Sequence, residues 1–116
     1  MFKYRIGIDL GGTKIEGIVL DEEAIRLRQV SDATSLFRKR VETQQEKGYA
    51  HILNRIKGLH DELVAGIQGA PHTFGIGTPG AVSPSTGLLK NSNTVCMNGQ
   101  PLKADLERIL ERKIEI

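Results

Sequence analysis

The chain has a single cysteine and no long run of apolar residues. With Cys96 alone among its 116 residues, it can form neither an internal disulfide nor a zinc site built from several cysteines. We expect Cys96 to be a small, partly buried apolar side chain. No apolar run approaches the roughly 20 residues that a membrane-spanning helix needs, and residues 1–4 lead directly into a strand pattern rather than a secretion signal. We therefore expect a cytoplasmic protein with no membrane partner.

A large excess of one charge is also missing. The 16 lysines and arginines nearly balance the 14 acidic residues, which gives a net charge of +2. Nucleic-acid-binding domains carry a concentrated basic face, so we expect no nucleic-acid partner. The local basic residues are interpreted as a solvated flank of a hairpin; they are Arg26, Arg28, Arg38, Lys39 and Arg40. With 39% hydrophobic and 26% charged residues, the composition is that of an ordinary globular domain.

The first half of the chain reads as three strands. Ile6, Ile8 and Leu10 alternate with small or polar residues, and a second apolar run at residues 15–20 follows the Gly11-Gly12 turn. This pattern predicts a β-hairpin. A third strand is predicted at residues 36–41. Residues 24–35 either extend the hairpin or form a loop that folds back on it, and their pattern does not decide between the two.

The second half alternates helices with strands. Apolar residues spaced three or four apart predict a helix that begins at Tyr49 and ends near residues 66–71; they are Ile52, Leu53, Ile56, Leu59 and Leu63. A short buried strand is predicted at residues 74–77 and a second helix from Pro101, which suits a first helical turn. Its inner face comprises Leu102, Leu106, Ile109 and Leu110. With a last strand from Lys113, the order β-β-β-α-β-α-β predicts an α/β, ribonuclease-H-like mixed sheet.

The turn after the first strand has the residue types of a phosphate-binding turn. Glycine at positions 11 and 12 permits positive φ and lets backbone N–H groups approach a phosphate. Thr13 and Lys14 add a hydroxyl and an ammonium donor, while Asp9 offers oxygen to a hard cation such as Mg²⁺. The alternative is a plain hairpin turn, because Gly-Gly between two apolar runs is typical of one.

A long polar loop follows the strand at residues 74–77. Residues 78–100 are rich in amide and hydroxyl side chains and lie at the carboxyl end of a parallel strand, where open α/β sheets bind ligands. Asparagine and serine both donate and accept hydrogen bonds, as vicinal sugar hydroxyls require. The alternative is a set of turns capped by their own side chains, and the residues alone do not decide between the two.

Two stretches resemble the ROK family of bacterial sugar kinases and repressors, which belongs to the actin-like ATPase superfamily. One is Asp-Leu-Gly-Gly-Thr-Lys at residues 9–14, and the other is Gly-Ile-Gly-Thr-Pro-Gly at residues 75–80. The resemblance implies that Gly11, Gly12, Thr13 and Lys14 contact the phosphates of ATP and that Asp9 also organises Mg²⁺. It implies a hexose bound by the backbone of Gly80 and Ala81 and by the Asn93 amide, with Asn91 and Asn98 as weaker candidates. The Asn-Gly-Gln-Pro motif at residues 98–101 most resembles that of bacterial fructokinases with mannose activity.

The resemblance covers only the first third or so of the family pattern. In the family an Asn-Asp pair that carries the catalytic base follows the strand that begins here at Lys113. We therefore expect residues 1–116 to be the amino-terminal lobe of a kinase, without a catalytic residue of its own and inactive alone. A possible zinc site and the adenosine pocket would belong to later sequence, and the parent is expected to be a homodimer. His51, His60 and His72 are interpreted as packed or solvated side chains. The alternatives are an N-acetylglucosamine or glucose kinase, or a sugar-sensing ROK repressor.

Overall fold

The structure is a computed structural model that describes residues 3–22, 35–78, 80–92 and 94–116. The open question about residues 24–35 lies almost wholly outside the described residues, as do the predictions for Arg26, Arg28 and Asn93. None of the helices in the described ranges is long and apolar enough to cross a membrane.

Four strands form a mixed sheet in the order β3-β2-β1-β4. The strands are β1 (Tyr4–Leu10), β2 (Lys14–Asp21), β3 (Ser35–Glu42) and β4 (His72–Gly77). β1 pairs antiparallel with β2 and parallel with β4, while β3 continues the antiparallel side. The predicted hairpin and parallel continuation are therefore confirmed.

Helices α1 (Tyr49–Gly66) and α2 (Leu102–Leu110) complete the fold. All five residues predicted for the inner stripe of α1 are buried. In α2 the buried residues are Leu102, Leu106 and Leu110, whereas Ile109 is only partly buried. Pro101 precedes the helix rather than lying in its first turn. The Tyr49 hydroxyl donates to Oδ2 of Asp105 at 2.7 Å and so joins the two helices.

The last predicted strand is present as a single bridge. Glu115 pairs parallel with Gly75, and the Ile76 N–H donates to the Glu115 carbonyl oxygen at 2.9 Å. Ile114 is 3% exposed and belongs to the hydrophobic core. The chain thus returns to the outer edge of β4 in the predicted direction.

One face of the sheet packs against the helices. In the hairpin register Ile6 faces Val19, and Ile8 faces Gly17. A Cβ on Gly17 would lie 2.5 Å from Leu63 Cδ1 of α1, so this glycine lets the helix approach the strand closely. The opposite face is open and forms a groove of about 670 Å³, whose lining includes Arg5, Asp9, Ile18, Thr73 and Glu115.

The basic residues of β3 form ion pairs. Arg38 and Arg40 contact the Glu16 carboxylate at 3.2 and 2.7 Å, and Lys39 pairs with Glu62 of α1. These ion pairs join β3 to β2 and to α1, and the three basic side chains remain 40–60% exposed, in agreement with a solvated flank.

The polar loop contains regular structure that the sequence did not predict. β5 (Ala81–Val82) and β6 (Leu89–Lys90) form a two-stranded antiparallel hairpin, and a 3₁₀ turn spans Val95–Met97. A second 3₁₀ turn, Gln45–Lys47, connects β3 to α1. Both 3₁₀ turns lie near the Gly11-Gly12 turn, as the contacts below establish.

Candidate functional site

The turn between β1 and β2, residues 11–13, is held by two residues that follow β3. The Gly11 N–H donates to the Lys14 carbonyl oxygen at 3.0 Å and closes the turn. The Thr43 hydroxyl donates to the Gly11 carbonyl oxygen at 2.7 Å, and the Thr43 N–H donates to that of Thr13 at 2.9 Å. The Gln45 side-chain amide donates to the Gly12 carbonyl oxygen at 3.0 Å. All three carbonyl oxygens of the turn therefore have donors.

This arrangement leaves two backbone N–H groups available. The described residues contain no cis peptide bond, and in a trans peptide the N–H points opposite to the C=O. Because the Gly11 and Gly12 carbonyls face Thr43 and Gln45, the N–H groups of Gly12 and Thr13 are directed away from them. Neither N–H has a hydrogen-bond partner within the described part of the chain. Successive free N–H groups in a turn bind anions.

The two glycines of the turn serve close contact rather than unusual backbone angles. We expected positive φ to be their use, but neither glycine is among those with positive φ in the described ranges. A Cβ on Gly11 would lie 2.8 Å from the Lys14 carbonyl oxygen, and one on Gly12 would lie 3.2 Å from Thr94 Oγ1. Larger residues would therefore push apart the turn and its neighbours.

Lys14 has an acidic neighbour. Its ammonium lies 3.5 Å from Oε1 of Glu42, and both side chains are largely exposed. Exposed ion pairs are worth at most about 1 kcal/mol, so Lys14 can exchange Glu42 for a phosphate at little cost. A polar cleft of about 270 Å³ adjoins this pair and is lined by Gly12, Thr13, Lys14, Glu42 and residues 44–46.

Asp9 lies at the carboxyl end of β1 in the groove on the open face of the sheet. It does not line the polar cleft beside the turn. The residue predicted to bind the metal and those predicted to bind the phosphates of ATP therefore lie in two different cavities. Its neighbour Glu16 is neutralised by two arginines, whereas Asp9 has no polar partner among the described residues. These residues also hold no group of three or more potential metal-ligating side chains. A lone exposed carboxylate fits Mg²⁺, which usually takes one or two carboxylates with phosphate oxygens and water.

The predicted sugar residues lie in a loop that is tightly packed. A Cβ on Gly80 would lie 2.5 Å from the Lys90 carbonyl oxygen and 3.0 Å from the Ser92 nitrogen, so only glycine lets the two arms of the loop meet. Ala81 is exposed at the start of β5. Gly80 and Ala81 line neither of the two cavities described above.

The weaker sugar candidates have structural tasks. The Asn98 amide accepts a hydrogen bond from the Ser92 N–H at 2.9 Å and donates to the Ser92 carbonyl oxygen at 3.1 Å. Asn91 has a φ of 59°, in the left-handed region that asparagine tolerates. Ser92 Oγ in turn accepts from the Thr94 N–H at 3.0 Å. The residues on both sides of Asn93 in the sequence are therefore held by hydrogen bonds.

The polar loop also contacts the turn at residues 11–13, which we call the phosphate turn after its predicted ligand. Thr94 is 1% exposed, and its Oγ1 lies beside Gly12, 3.2 Å from the point that a Cβ there would occupy. The Cys96 thiol, partly buried as predicted, donates to the Gln45 carbonyl oxygen at 3.9 Å. Because Gln45 itself binds Gly12, the loop reaches the turn both directly and through Gln45.

The histidines pack as the sequence analysis predicts. His51 contacts the Gln44 side chain at 2.7 Å. His60 and His72 both direct Nε2 at the Arg112 guanidinium, at 3.4 and 2.6 Å. Burial lowers the pKa of His60, which favours its neutral form. None of the three lines the cavities beside Asp9 or the turn.

The sequence profile of the ROK family matches residues 5–116. The chain belongs to the ROK family. A relative from Yersinia pestis bv. Antiqua (strain Nepal516), an N-acetyl-D-glucosamine kinase, is 37% identical over 112 residues, which cover 95% of this chain and 39% of the relative. The chain thus spans well under half of the length of this ROK relative.

Two solved ROK structures share the fold. The Streptomyces griseus glucokinase, in complex with glucose and AMPPNP, superposes with a TM-score of 0.67 at 26% identity, covering 96% of this chain and 31% of that one. The Arthrobacter sp. strain KM inorganic polyphosphate/ATP-glucomannokinase gives a TM-score of 0.70 at 26% identity, covering 97% and 43%. The chain has the mixed sheet of the actin-like ATPase fold, as predicted.

Sequence reasoning missed Thr43, Gln45 and Thr94. The first two directly follow β3, and β3 pairs antiparallel with β2, so the end of β3 must lie beside the start of β2. The predicted hairpin and third strand therefore contained a signal for polar residues near position 43. No comparable signal pointed to Thr94.

Proposed function

We propose that this chain is the amino-terminal lobe of a longer ATP-dependent sugar kinase. The observation that carries the proposal is the pair of free N–H groups at Gly12 and Thr13, whose adjoining carbonyls are held away by Thr43 and Gln45. A hairpin that served only as a connection needs no such arrangement. Its place beside a polar loop at the carboxyl end of β4 supports a phosphate donor and a sugar that meet between the two.

Each candidate residue of this lobe then has a part in phosphoryl transfer. The N–H groups of Gly12 and Thr13 and the Lys14 ammonium bind phosphate oxygens and offset the charge that develops on them. Asp9 would hold Mg²⁺ through its carboxylate, and the ion would further neutralise the charge on the phosphates. Gly80, Ala81 and Asn93 bind the sugar. The base that takes the proton from the sugar hydroxyl belongs to the rest of the protein.

N-Acetylglucosamine is the sugar that we favour. The N-acetyl-D-glucosamine kinase from Yersinia supports it over 95% of this chain. Our expectation of a fructose or mannose kinase depended on the sequence motif at residues 98–101. In that motif the Asn98 amide already forms hydrogen bonds with the Ser92 backbone. The Arthrobacter glucomannokinase keeps glucose and mannose in the test panel.

The test is ADP release by the full-length protein with ATP, Mg²⁺ and N-acetylglucosamine, glucose, mannose or fructose. We expect turnover to be highest with N-acetylglucosamine, and no sugar-dependent turnover by residues 1–116 alone. General-base catalysis is worth about 10²- to 10⁴-fold, and misplaced ATP forfeits still more. Turnover by residues 1–116 alone would contradict the assignment of this chain as one lobe. Absence of turnover by the full-length protein with all four sugars would contradict the kinase itself.

A further inference from the structure

The hydroxyl of Thr94 is a polar group that is buried in the protein. The residue is 1% exposed, and its hydroxyl has no hydrogen-bond partner among the described residues. The hydroxyl does not cap the 3₁₀ turn that follows, because that turn has no side-chain cap. An unsatisfied buried hydroxyl destabilises a fold, and valine has nearly the same shape without this cost. The hydroxyl can therefore gain a partner on ligand binding without breaking an existing hydrogen bond.

The neighbours of Thr94 indicate that state. The hydroxyl oxygen lies beside Gly12 of the turn at residues 11–13, 3.2 Å from the point that a Cβ on Gly12 would occupy. The Thr94 N–H is bound by Ser92, and Ser92 is held by Asn98, so Thr94 moves with the part of the loop that carries Asn93. Thr94 is thus the direct link between the residue proposed to bind sugar and the turn proposed to bind phosphate.

We propose that Thr94 is a positioning residue that couples sugar binding to nucleotide binding. When a sugar is bound, the Thr94 hydroxyl donates a hydrogen bond to the Gly12 carbonyl oxygen beside the one from Gln45, so that the Gly12 N–H stays free and the turn is stabilised in its phosphate-binding form. A bound nucleotide stabilises the same hydrogen bond, because its phosphates hold the turn through the N–H groups of Gly12 and Thr13. This inference rests on the proposed function. It assigns to Thr94 the coupling of the two sites, which neither the residues that bind sugar nor those that bind phosphate provide alone.

The experiment measures binding of AMPPNP with Mg²⁺ to the full-length protein by calorimetry, with and without saturating N-acetylglucosamine. The ratio of the two dissociation constants is the coupling factor. We expect the sugar to tighten AMPPNP binding, and we expect Thr94→Val to reduce the coupling factor by about 2- to 12-fold, the equivalent of one neutral hydrogen bond. Thr94→Ser keeps the hydroxyl and should keep the coupling.

Thr73→Val is the matched control. Thr73 also has a buried hydroxyl without a partner among the described residues, but it pairs with Arg5 near the start of β1, whereas Asp9 and the turn lie at the other end of that strand. We expect this variant to leave the coupling factor unchanged. Because coupling is reciprocal, the effect of AMPPNP on sugar affinity must fall by the same factor in Thr94→Val.

Stability supplies a readout that does not depend on ligands. Since the hydroxyl lacks a partner in the free protein, Thr94→Val should leave the midpoint of thermal unfolding unchanged or raise it. A lower midpoint, or failure to fold, would overturn the inference. So would a coupling factor that Thr94→Val leaves unchanged, loss of coupling in Thr94→Ser, or no coupling in the unsubstituted protein. A protein that phosphorylates none of the four sugars would instead overturn the proposed function.

Discussion

The Thr43 hydroxyl donates a hydrogen bond of 2.7 Å to the carbonyl oxygen of Gly11, a residue 32 positions earlier in the chain. The backbone N–H of the same threonine holds Thr13. Thr43 is fully buried, with an exposure of 0%. One residue beyond the end of β3 therefore determines which way the peptide groups of the phosphate turn face.

Replacing Thr43 with valine tests this arrangement. The substitution keeps the shape of the side chain but leaves the Gly11 carbonyl without its donor, so we expect a loss of about 1–3 kcal/mol in the free energy of unfolding. In the full-length protein the KM for ATP should rise as well. Urea unfolding and steady-state kinetics measure the two effects. Thr43→Ser, which keeps the hydroxyl, should retain the ATP affinity; an equal loss in both variants would mean that the hydrogen bond to Gly11 does not set that affinity.

Gly12→Val tests the assignment of the turn to phosphate. The new side chain would meet Thr94 Oγ1 and the Gln45 amide, whose distances from a Cβ are 3.2 and 3.6 Å. It would also crowd the free N–H groups beside it. Since a hydrogen bond to a charged group is worth about 1.5–3 kcal/mol, we expect ATP affinity to fall by about tenfold or more. AMPPNP titration of the full-length protein measures this.

Gly58→Ala is the control for that substitution. Gly58 lies in α1, and a Cβ there would meet nothing within 4 Å. Alanine should therefore stabilise the helix by up to about 1 kcal/mol and leave ATP affinity unchanged. Unaltered ATP affinity in Gly12→Val as well would remove the turn from the nucleotide site.

The elements of the fold followed from short-range patterns in the sequence. The stripe from Ile52 to Leu63 predicted α1, because a period of 3.6 residues aligns the apolar side chains on one face of a helix. Alternation at Ile6, Ile8 and Leu10 predicted β1 in the same way. These patterns are local, so they predict a helix or a strand without knowledge of the neighbouring elements.

The contacts that shape the site could not be read in this way. The bonds from Thr43 and Gln45 depend on the register of β3 on β2, which shifts between Val19 and Leu20. The contact between Thr94 and Gly12 depends on how the polar loop folds back over the turn. The residues that we propose to contact ligands were candidates from the sequence, whereas those that orient them depend on tertiary contacts.

Asn98→Ala tests the hydrogen bonds that hold the loop. The Asn98 amide makes two bonds to Ser92, of 2.9 and 3.1 Å. Their loss should cost about 1–3 kcal/mol of stability and raise the KM for sugar in the full-length protein, because the segment that carries Asn93 loses its support. Ser85→Ala is the matched control, since this exposed residue of the same loop contacts Ser83 rather than Ser92. A sugar KM that is equal in both variants would argue against support of Asn93 by Asn98.

The stability of the lobe should depend on pH through His60. The ring is 7% exposed and packs edge-on against Phe74 at 5.1 Å. Its Nδ1 lies 3.0 Å from the Asp61 carboxylate, while Nε2 faces the Arg112 guanidinium, which also contacts His72. Burial, and then the charge of Arg112, lower the pKa of His60 below its ordinary value of 6.5, although Asp61 opposes the shift.

The sign of the effect follows from this shift. Well above pH 6.5 the ring is neutral in both the folded and the unfolded state and contributes no pH dependence. As the pH falls below 6.5, the unfolded chain binds a proton that the folded chain does not, so the free energy of unfolding decreases until the pH passes the folded pKa. Urea unfolding of residues 1–116 between pH 8 and pH 5 should show this loss, and His60→Gln should reduce it. A pH dependence that is identical in the variant would assign the titration to another group.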